Sequence, residues 1–298
     1  MNKNLNTENW LYIISPQKKI INFNFKDIWN YRDLLFLFVK RDVVTLYKQT
    51  ILGPLWYFIQ PLFTSIIFTL IFNNIANIDT GEGVPPFLFN LTGIIAWNYF
   101  SACLTGTSDS FKKNQSIFGK VYFPRVIMPI STVFSNLIKL GIQFLVLLVF
   151  YAYFVFFTEG TYNLTPTVTL IFLPVLILLM ALLGLGFGMI ISSMTTKYRD
   201  LTFLVGFGVQ LLMYGSAVMY PLALIQEKVE KGVLPEPVGL FIRYNPMTSI
   251  IDQFRNILLG VGNFSITKVL YVSIFSTIVF LVGLIIFNKT EKTFIDTV

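Results

Sequence analysis

The sequence predicts an all-α polytopic membrane protein: six transmembrane helices, an N-terminal amphipathic interface helix, and a re-entrant outer helical hairpin before the last span. Three observations predict it. Hydrophobic residues make up 55% of the chain and charged residues 12%, whereas a soluble domain carries roughly 25% charged residues. Mean hydropathy is +0.70. Apolar runs of roughly 20 residues, enough to cross ~30 Å of hydrocarbon, recur along the chain between short loops rich in basic residues.

The chain turns on the stretch KRDVVTLYKQTILGPLWYFIQPL, Lys40 to Leu62. Its first half carries Lys40, Arg41, Asp42 and Lys48, its second half has no formal charge, and Gly53-Pro54 marks the hinge between them. Proline is tolerated in the first turn of a helix because its missing N–H would have been unbonded there. Trp56 and Tyr57 follow, and amphipathic rings favour the headgroup level. The expectation is a cytoplasmic surface helix feeding into a first span.

This divides the chain into a cytoplasmic N-terminal region, residues 1–50, and a six-span transmembrane domain, residues 51–298. The first 25 or so residues are polar, and their apolar run Trp10 to Ile14 is broken by Pro16, too short for a signal peptide. From Lys26 to Thr50, Ile28, Trp29, Leu34, Leu35, Phe38, Val39, Val43 and Leu46 recur mostly at three- and four-residue spacing between charged residues. That pattern fits a helix lying in the interface.

Hydropathy places the spans at about 52–74, 86–108, 126–157, 165–194, 201–221 and 266–288. With the N-terminus inside, the cytoplasmic segments hold Lys3, Lys18, Lys19, Lys26, Arg32, Lys40, Arg41, Lys48, Lys112, Lys113, Lys120, Arg125, Lys197, Arg199, Lys289 and Lys292. That is sixteen of the 22 basic residues; the outer segments hold Lys228, Lys231, Arg243, Arg255 and Lys268. The asymmetry predicts both termini in the cytoplasm and accounts for the net charge of +7 without nucleic acid.

Lys139 falls inside the third span, about 21 Å along the helix from Arg125 at 1.5 Å per residue. An ionisable group there is a functional-site candidate, unless the long helix protrudes far enough for the ammonium to reach the headgroups. Gly184, Gly186 and Gly188 in the fourth span and Gly206 and Gly208 in the fifth permit close helix approach, within the bundle rather than between subunits. Between Pro221 and Ser265, charge, prolines and the apolar-rich stretch Met247 to Gly260 are too short to cross. They are read as a re-entrant segment, about 222–262, dipping into the outer leaflet.

Several chemistries are excluded. The one cysteine, Cys103, precludes an internal disulfide, and the absence of histidine removes the usual metal ligand and general base. No metal site, catalytic residue or cofactor is expected on this chain. Gly119-Lys120 is followed by Val121, and Asn114 stands where a P-loop needs its first glycine. The spans carry no carboxylate pair for proton relay, since Asp109 and Asp200 lie at cytoplasmic ends. They do carry aromatic and neutral polar groups able to contact sugar C–H and hydroxyl groups along a conduit: Trp56, Tyr57, Gln60, Trp97, Tyr99, Phe100, Tyr214 and Tyr220. Interfacial belts use the same residues.

Four segments carry a resemblance. VKRDVVTLYKQTILGPLWYFIQPL before the first span, GKVYFPR between the second and third, TKYRD between the fourth and fifth, and YNPMTSIIDQFRNILLG before the last are similar to segments of polysaccharide-exporting ABC-2 permeases. The similarity covers nearly the whole chain. It implies a homodimeric permease in the cell inner (cytoplasmic) membrane, embedded among membrane lipids and working with two copies of a cytoplasmic ABC ATPase that binds ATP and Mg. The exported substrate would be a lipid-linked glycan of O-antigen, teichoic acid or capsule type. It also implies that Arg41, Asp42, Tyr47 and Lys48, with Lys120, Tyr122, Pro124 and Arg125, contact that ATPase, and that the segment from Pro221 to Gly260 narrows the exit. An ABC-2 exporter of a drug, lipid or other small molecule is the alternative. A membrane enzyme or ion-coupled carrier would need a deep reactive group, for which Lys139 is the candidate.

Overall fold

The computed structural model describes residues 29–48, 51–81, 83–118, 121, 123–158, 162, 168–198 and 200–297. The polar N-terminal segment with Trp10 to Ile14, and Lys120, Tyr122 and Arg199, lie outside the described residues. Every regular element among the described residues is helical.

Helix α1, Arg32–Tyr47, buries Leu35 and Phe38 on one side and leaves Phe36 and Leu37 exposed on another. After Gly53, at φ +45°, helix α2 runs over Leu55–Phe68 and widens into a π-helical stretch, Thr69–Ile75. Helices α3 (Pro86–Ser108), α4 (Ile127–Phe157) and α5 (Leu173–Lys197, after a 3-10 turn Val168–Phe172) follow. Helix α6 covers Leu201–Tyr214. Then come α7 (Leu222–Glu230), α8 (Glu236–Tyr244), α9 (Pro246–Leu259) and α10 (Ile266–Thr297).

Among the described residues, five helical stretches are long and apolar enough to cross a membrane: Leu55–Ile75, Pro86–Ser108, Ile127–Phe157, Thr169–Lys197 and Ile266–Glu291. Each overlaps an expected span. The expected span at 201–221 differs, because its helix has 14 residues, about 21 Å at 1.5 Å per residue. Gly215 caps it, Ala217 takes φ +51°, and the chain is irregular up to Pro221. Hydropathy counted Ala217, Val218 and Met219 as helix because they are apolar; they are buried, but in irregular backbone. The outer segment also differs from a two-helix hairpin. It comprises three helices, and the third, α9, is almost wholly buried.

Helix α3 is the hub. Its window is 78% buried, and α2, α4, α5 and α9 pack around it. In a bilayer, helix association rests on van der Waals contact rather than expulsion of water, so small residues decide how close helices come. A Cβ on Gly184 would lie 2.7 Å from Cys103 Cβ, and one on Gly188 would lie 2.5 Å from Thr107 Cβ, so this GxxxG packs α5 against α3 within one chain. Gly186 faces the other way, where a Cβ would lie 2.8 Å from the main-chain nitrogen of Phe280 on α10. On α10, Gly283 abuts the Gly186 carbonyl.

Polar side chains tie some of these helices together inside the bundle. Asn90 of α3 donates to Asn73 Oδ1 (2.8 Å) and Thr69 Oγ1 (3.1 Å), which fastens α3 to the π-helical stretch. Ser65 donates to the Phe87 carbonyl at 2.9 Å. A second, smaller core joins Leu35 and Phe38 of α1 to Phe111, Phe118 and Phe123 between α3 and α4, and to Leu284 and Phe287 of α10.

Candidate functional site

The candidate site has three parts: the face formed by α1 and the loop between α3 and α4, a polar cavity leading from that face into the bundle, and helices α7 to α9 at the opposite end.

The two segments expected to meet a partner are joined by aromatic packing. Phe38 and Phe123 lie 5.8 Å apart, Phe118 and Phe123 5.9 Å, and Phe111 stacks on Phe287 at 4.5 Å. Edge-on and offset ring pairs of this kind fix relative position as well as burying area. Arg41 lies over the Phe38 ring at 5.0 Å, pairs with Asp42 at 2.8 Å, and donates to Asn114 Oδ1 at 3.5 Å. Lys48 is exposed just past Tyr47, the last residue of α1. Pro124 is half-buried, and its carbonyl accepts from Ile127 N–H at 3.0 Å, starting α4.

Arg125 is placed differently from the exposed members of this group. It is 6% exposed, donates to the Glu291 carbonyl at 3.0 Å, lies 3.9 Å from the Glu291 carboxylate, and sits over the Phe118 ring at 5.1 Å. Its contacts bind the start of α4 to the end of α10.

The cavity lies among α2, α3 and α4. An inner chamber of about 260 Å³ is lined by Tyr57, Gln60, Asn98, Tyr99, Lys139 and Gln143, among others. It shares Ala102, Thr105, Asn136 and Lys139 with an outer chamber of about 510 Å³ that reaches Arg41, Asp42, Asp109 and Lys113. Lys139 donates to Asn136 Oδ1 at 2.8 Å and lies over the Tyr57 ring at 5.4 Å.

The expected conduit residues thus separate. Tyr57, Gln60 and Tyr99 line the cavity. Trp97 and Phe100 are buried in the main core, 5.4 Å from each other. Trp56 and Tyr214 are exposed, and Tyr220 folds back to donate to the Tyr214 carbonyl at 2.5 Å.

At the other end, sequence reasoning missed Arg255. The loop count assigns it to the outer solvent; it is 4% exposed. Its guanidinium donates to the carbonyls of Ala217 (2.8 Å), Val218 and Phe89 (3.2 Å) and lies over the Phe89 ring at 3.6 Å. The broken end of α6 leaves carbonyls without helical partners, and a planar donor fork can take several at once. Asn245 completes the joint: its amide donates to the Gly215 carbonyl and Ser216 Oγ, both at 2.9 Å, while its Oδ1 caps α9 by accepting from Met247 N–H. One arginine within the apolar-rich run Met247–Gly260 was the available signal.

Beyond this joint α7 and α8 are amphipathic. Glu227 and Lys231 pair on α7, and the hydrogen bond from Lys231 holds the Glu227 carboxyl below its ordinary value.

The model of the ABC-2 type transporter family matches residues 33–259, from α1 to the last residue of α9. Two proteins from Klebsiella pneumoniae named O-antigen export system permease protein RfbA are 29% and 28% identical to this chain over 267 residues. Each match covers 89% of this chain and 94% of the relative. A protein of the same name from Myxococcus xanthus is 25% identical over 233 residues, 78% of this chain and 82% of its own. With the match embracing α1, the basic loop and α9 with its buried Arg255 together, this multi-pass membrane protein belongs to the ABC-2 type transporter family as a permease.

Proposed function

We propose that this chain is the transmembrane subunit of an ATP-driven exporter that carries a lipid-linked polysaccharide of O-antigen, teichoic acid or capsule type across the cytoplasmic membrane. The observation that carries the reading is the similarity over 89% of the chain to relatives named as O-antigen export permeases. The chain acts as a homodimer with two copies of a separate ABC ATPase, which holds ATP and Mg. Its N- and C-termini are cytoplasmic, and α6 with the irregular segment after it supplies the sixth crossing.

In this reading α1 lies in the membrane interface, with Phe36 and Leu37, both exposed in the isolated chain, facing lipid. ATPase closure presses on α1 and the loop before α4, and the aromatic cluster of Phe38, Phe118 and Phe123 passes that force to α4 and α10. A conduit then opens along the dimer axis beside α2 and α6, the membrane helices with the fewest buried residues. The outer helices re-enter the membrane and narrow the exit.

The test is deletion of the gene followed by staining of surface glycan and assay of internal lipid-linked polymer. Export by this chain predicts lost surface polymer and polymer retained inside. Normal surface polymer with none retained rejects it.

A further inference from the structure

The cavity around Lys139 has an unbalanced charge. Its outer chamber carries Arg41, Asp42, Asp109 and Lys113, and these neutralise one another in pairs, Arg41 with Asp42 at 2.8 Å and Lys113 with Asp109 at 3.5 Å. Lys139 is left over: among the described residues no carboxylate lies within ion-pair distance of it, and its contacts are an amide oxygen and a ring face. It stands about 18 Å along α4 from Ile127, within a helix long and apolar enough to cross the membrane. Asp42 acts on it electrostatically from beyond ion-pair distance, so an ammonium at that depth is only partly compensated, and an anion would offset the remaining cost.

The surroundings suit an anion with several acceptor oxygens. Asn98, Gln60 and Gln143 line the inner chamber with side-chain amides, and Gln143, 7% exposed, makes no side-chain hydrogen bond among the described residues. Its amide lines the chamber, where it is free to donate to an occupant. On the far side of Lys139 and Tyr57 lies a narrow crevice whose remaining walls are mainly apolar, formed by Val43, Pro54, Ile138 and Ile142. At about 10 Å³ that crevice has room for one water and no more, so the inner chamber is the seat for a ligand.

We propose that the inner chamber of this cavity is the binding site for the phosphate head of a lipid-anchored substrate, with Lys139 as the charge partner and Gln143 and Asn98 as hydrogen-bond donors, the lipid tail remaining in the bilayer. The head reaches it from the cytoplasmic chamber. The assignment rests on the export reading above, because it takes the lipid-linked end of that substrate as the ligand.

The test uses the purified full-length protein in a neutral maltoside detergent, with radiolabelled farnesyl diphosphate as the probe. Farnesol, inorganic diphosphate and phosphatidic acid serve as competitors. Saturable binding is expected, weakened at least about tenfold in Lys139→Gln, the loss of one charge-assisted contact, and retained in Lys139→Arg. Farnesol competes poorly, since it carries no anion, and inorganic diphosphate competing as well as the probe would assign the site to a free anion and overturn the lipid-anchored assignment. Gln143→Leu, which leaves the charge in place, also weakens binding. A thiol-reactive dye on Cys103, buried in the native state, reports that each variant is folded. Binding within about twofold of wild type in Lys139→Gln would overturn the proposal on the same scale, as would absence of binding. Phosphatidic acid competing as well as farnesyl diphosphate would assign the site to bulk phospholipid and overturn the substrate assignment. The two readings fail separately. Unimpaired glycan export by Lys139→Gln in a strain that needs the gene sinks the site alone, whereas charge-dependent probe binding with no glycan defect on deletion sinks the export reading alone.

Discussion

The guanidinium of Arg255 occupies the place where a side chain on Gly93 would be: a Cβ there would collide with Nη2 and would come within 2.7 Å of the Val218 carbonyl. Glycine on α3 and arginine on α9 are therefore one device. The first leaves the space and the second fills it with donors for the carbonyls that α6 abandons where it breaks.

Arg255→Met removes those donors and keeps an unbranched apolar stem. Leaving buried carbonyls unpaired costs about 1–3 kcal/mol each, so a loss of roughly 3 kcal/mol is expected. Reaction of Cys103, at 0% exposure, with a thiol dye on heating measures the shift. Gly93→Val is expected to be as severe, because the nearest obstacles include main chain. An unchanged melting midpoint in either variant would refute the joint.

Gly186→Ala places a methyl 2.8 Å from main-chain atoms of Val279 and Phe280, which have no rotamer to change. Overpacking of this kind costs about 1–3 kcal/mol. Gly206→Ala and Gly208→Ala meet nothing within 4 Å, and gain up to about 1 kcal/mol of helix propensity. Thermal denaturation of the three variants side by side should separate the first from the other two.

Arg125→Met should destabilise more than Glu291→Gln. The first loses the bond to the Glu291 carbonyl and the contact with Phe118, while the second keeps both and neutralises a carboxylate 3.9 Å away. Limited proteolysis near the end of α10 reads the difference, and equal cleavage of the two would contradict it.

The Glu227–Lys231 pair gives a pH dependence of known sign. The carboxyl is depressed by its bond from Lys231, so its contribution is present above the unfolded carboxyl pKa and fades as pH falls through the lower folded value. Lys231 is raised by the same bond, so its share is present below the ordinary lysine value and fades as pH rises through the folded one. Both groups are exposed, and the effect shrinks with salt. Carboxyl NMR of Glu227 should find it titrating below a free glutamate, and Lys231→Ala should restore the ordinary value.

Orientation can be checked with one added cysteine at a time, since Cys103 is buried. In intact spheroplasts an impermeant maleimide should label Lys228→Cys on α7. Lys112→Cys should react only after permeabilisation. The reverse pattern would invert the topology.

Much of this was legible in the sequence, because span length and hydropathy are properties of segments. The limits of α3, Pro86–Ser108, coincide with the expected 86–108. The break after Tyr214 was hidden, since it depends on a partner 41 positions downstream of Tyr214 and on residues as apolar as any membrane helix. For the same reason Trp97 and Phe100 could not be told from lining residues: aromatic character does not say which way a ring points, and α3 is enclosed on nearly every side. Resemblance implied a shared partner for α1 and the loop before α4 but not their joining, because Phe38, Phe118 and Phe123 look like ordinary apolar residues until they meet.

The contact of Gly186 with Gly283 has a mechanical corollary. Backbones that touch without side chains between them have no cushion, so α5 and α10 can neither slide nor roll past each other without collision, and α3, gripped by Gly184 and Gly188, is locked to the same block. This trio is a stator. Whatever displacement accompanies each turnover must be taken up by the loosely held helices at its flanks, and cross-links within the trio should be silent where cross-links to α2 or α6 arrest the machine.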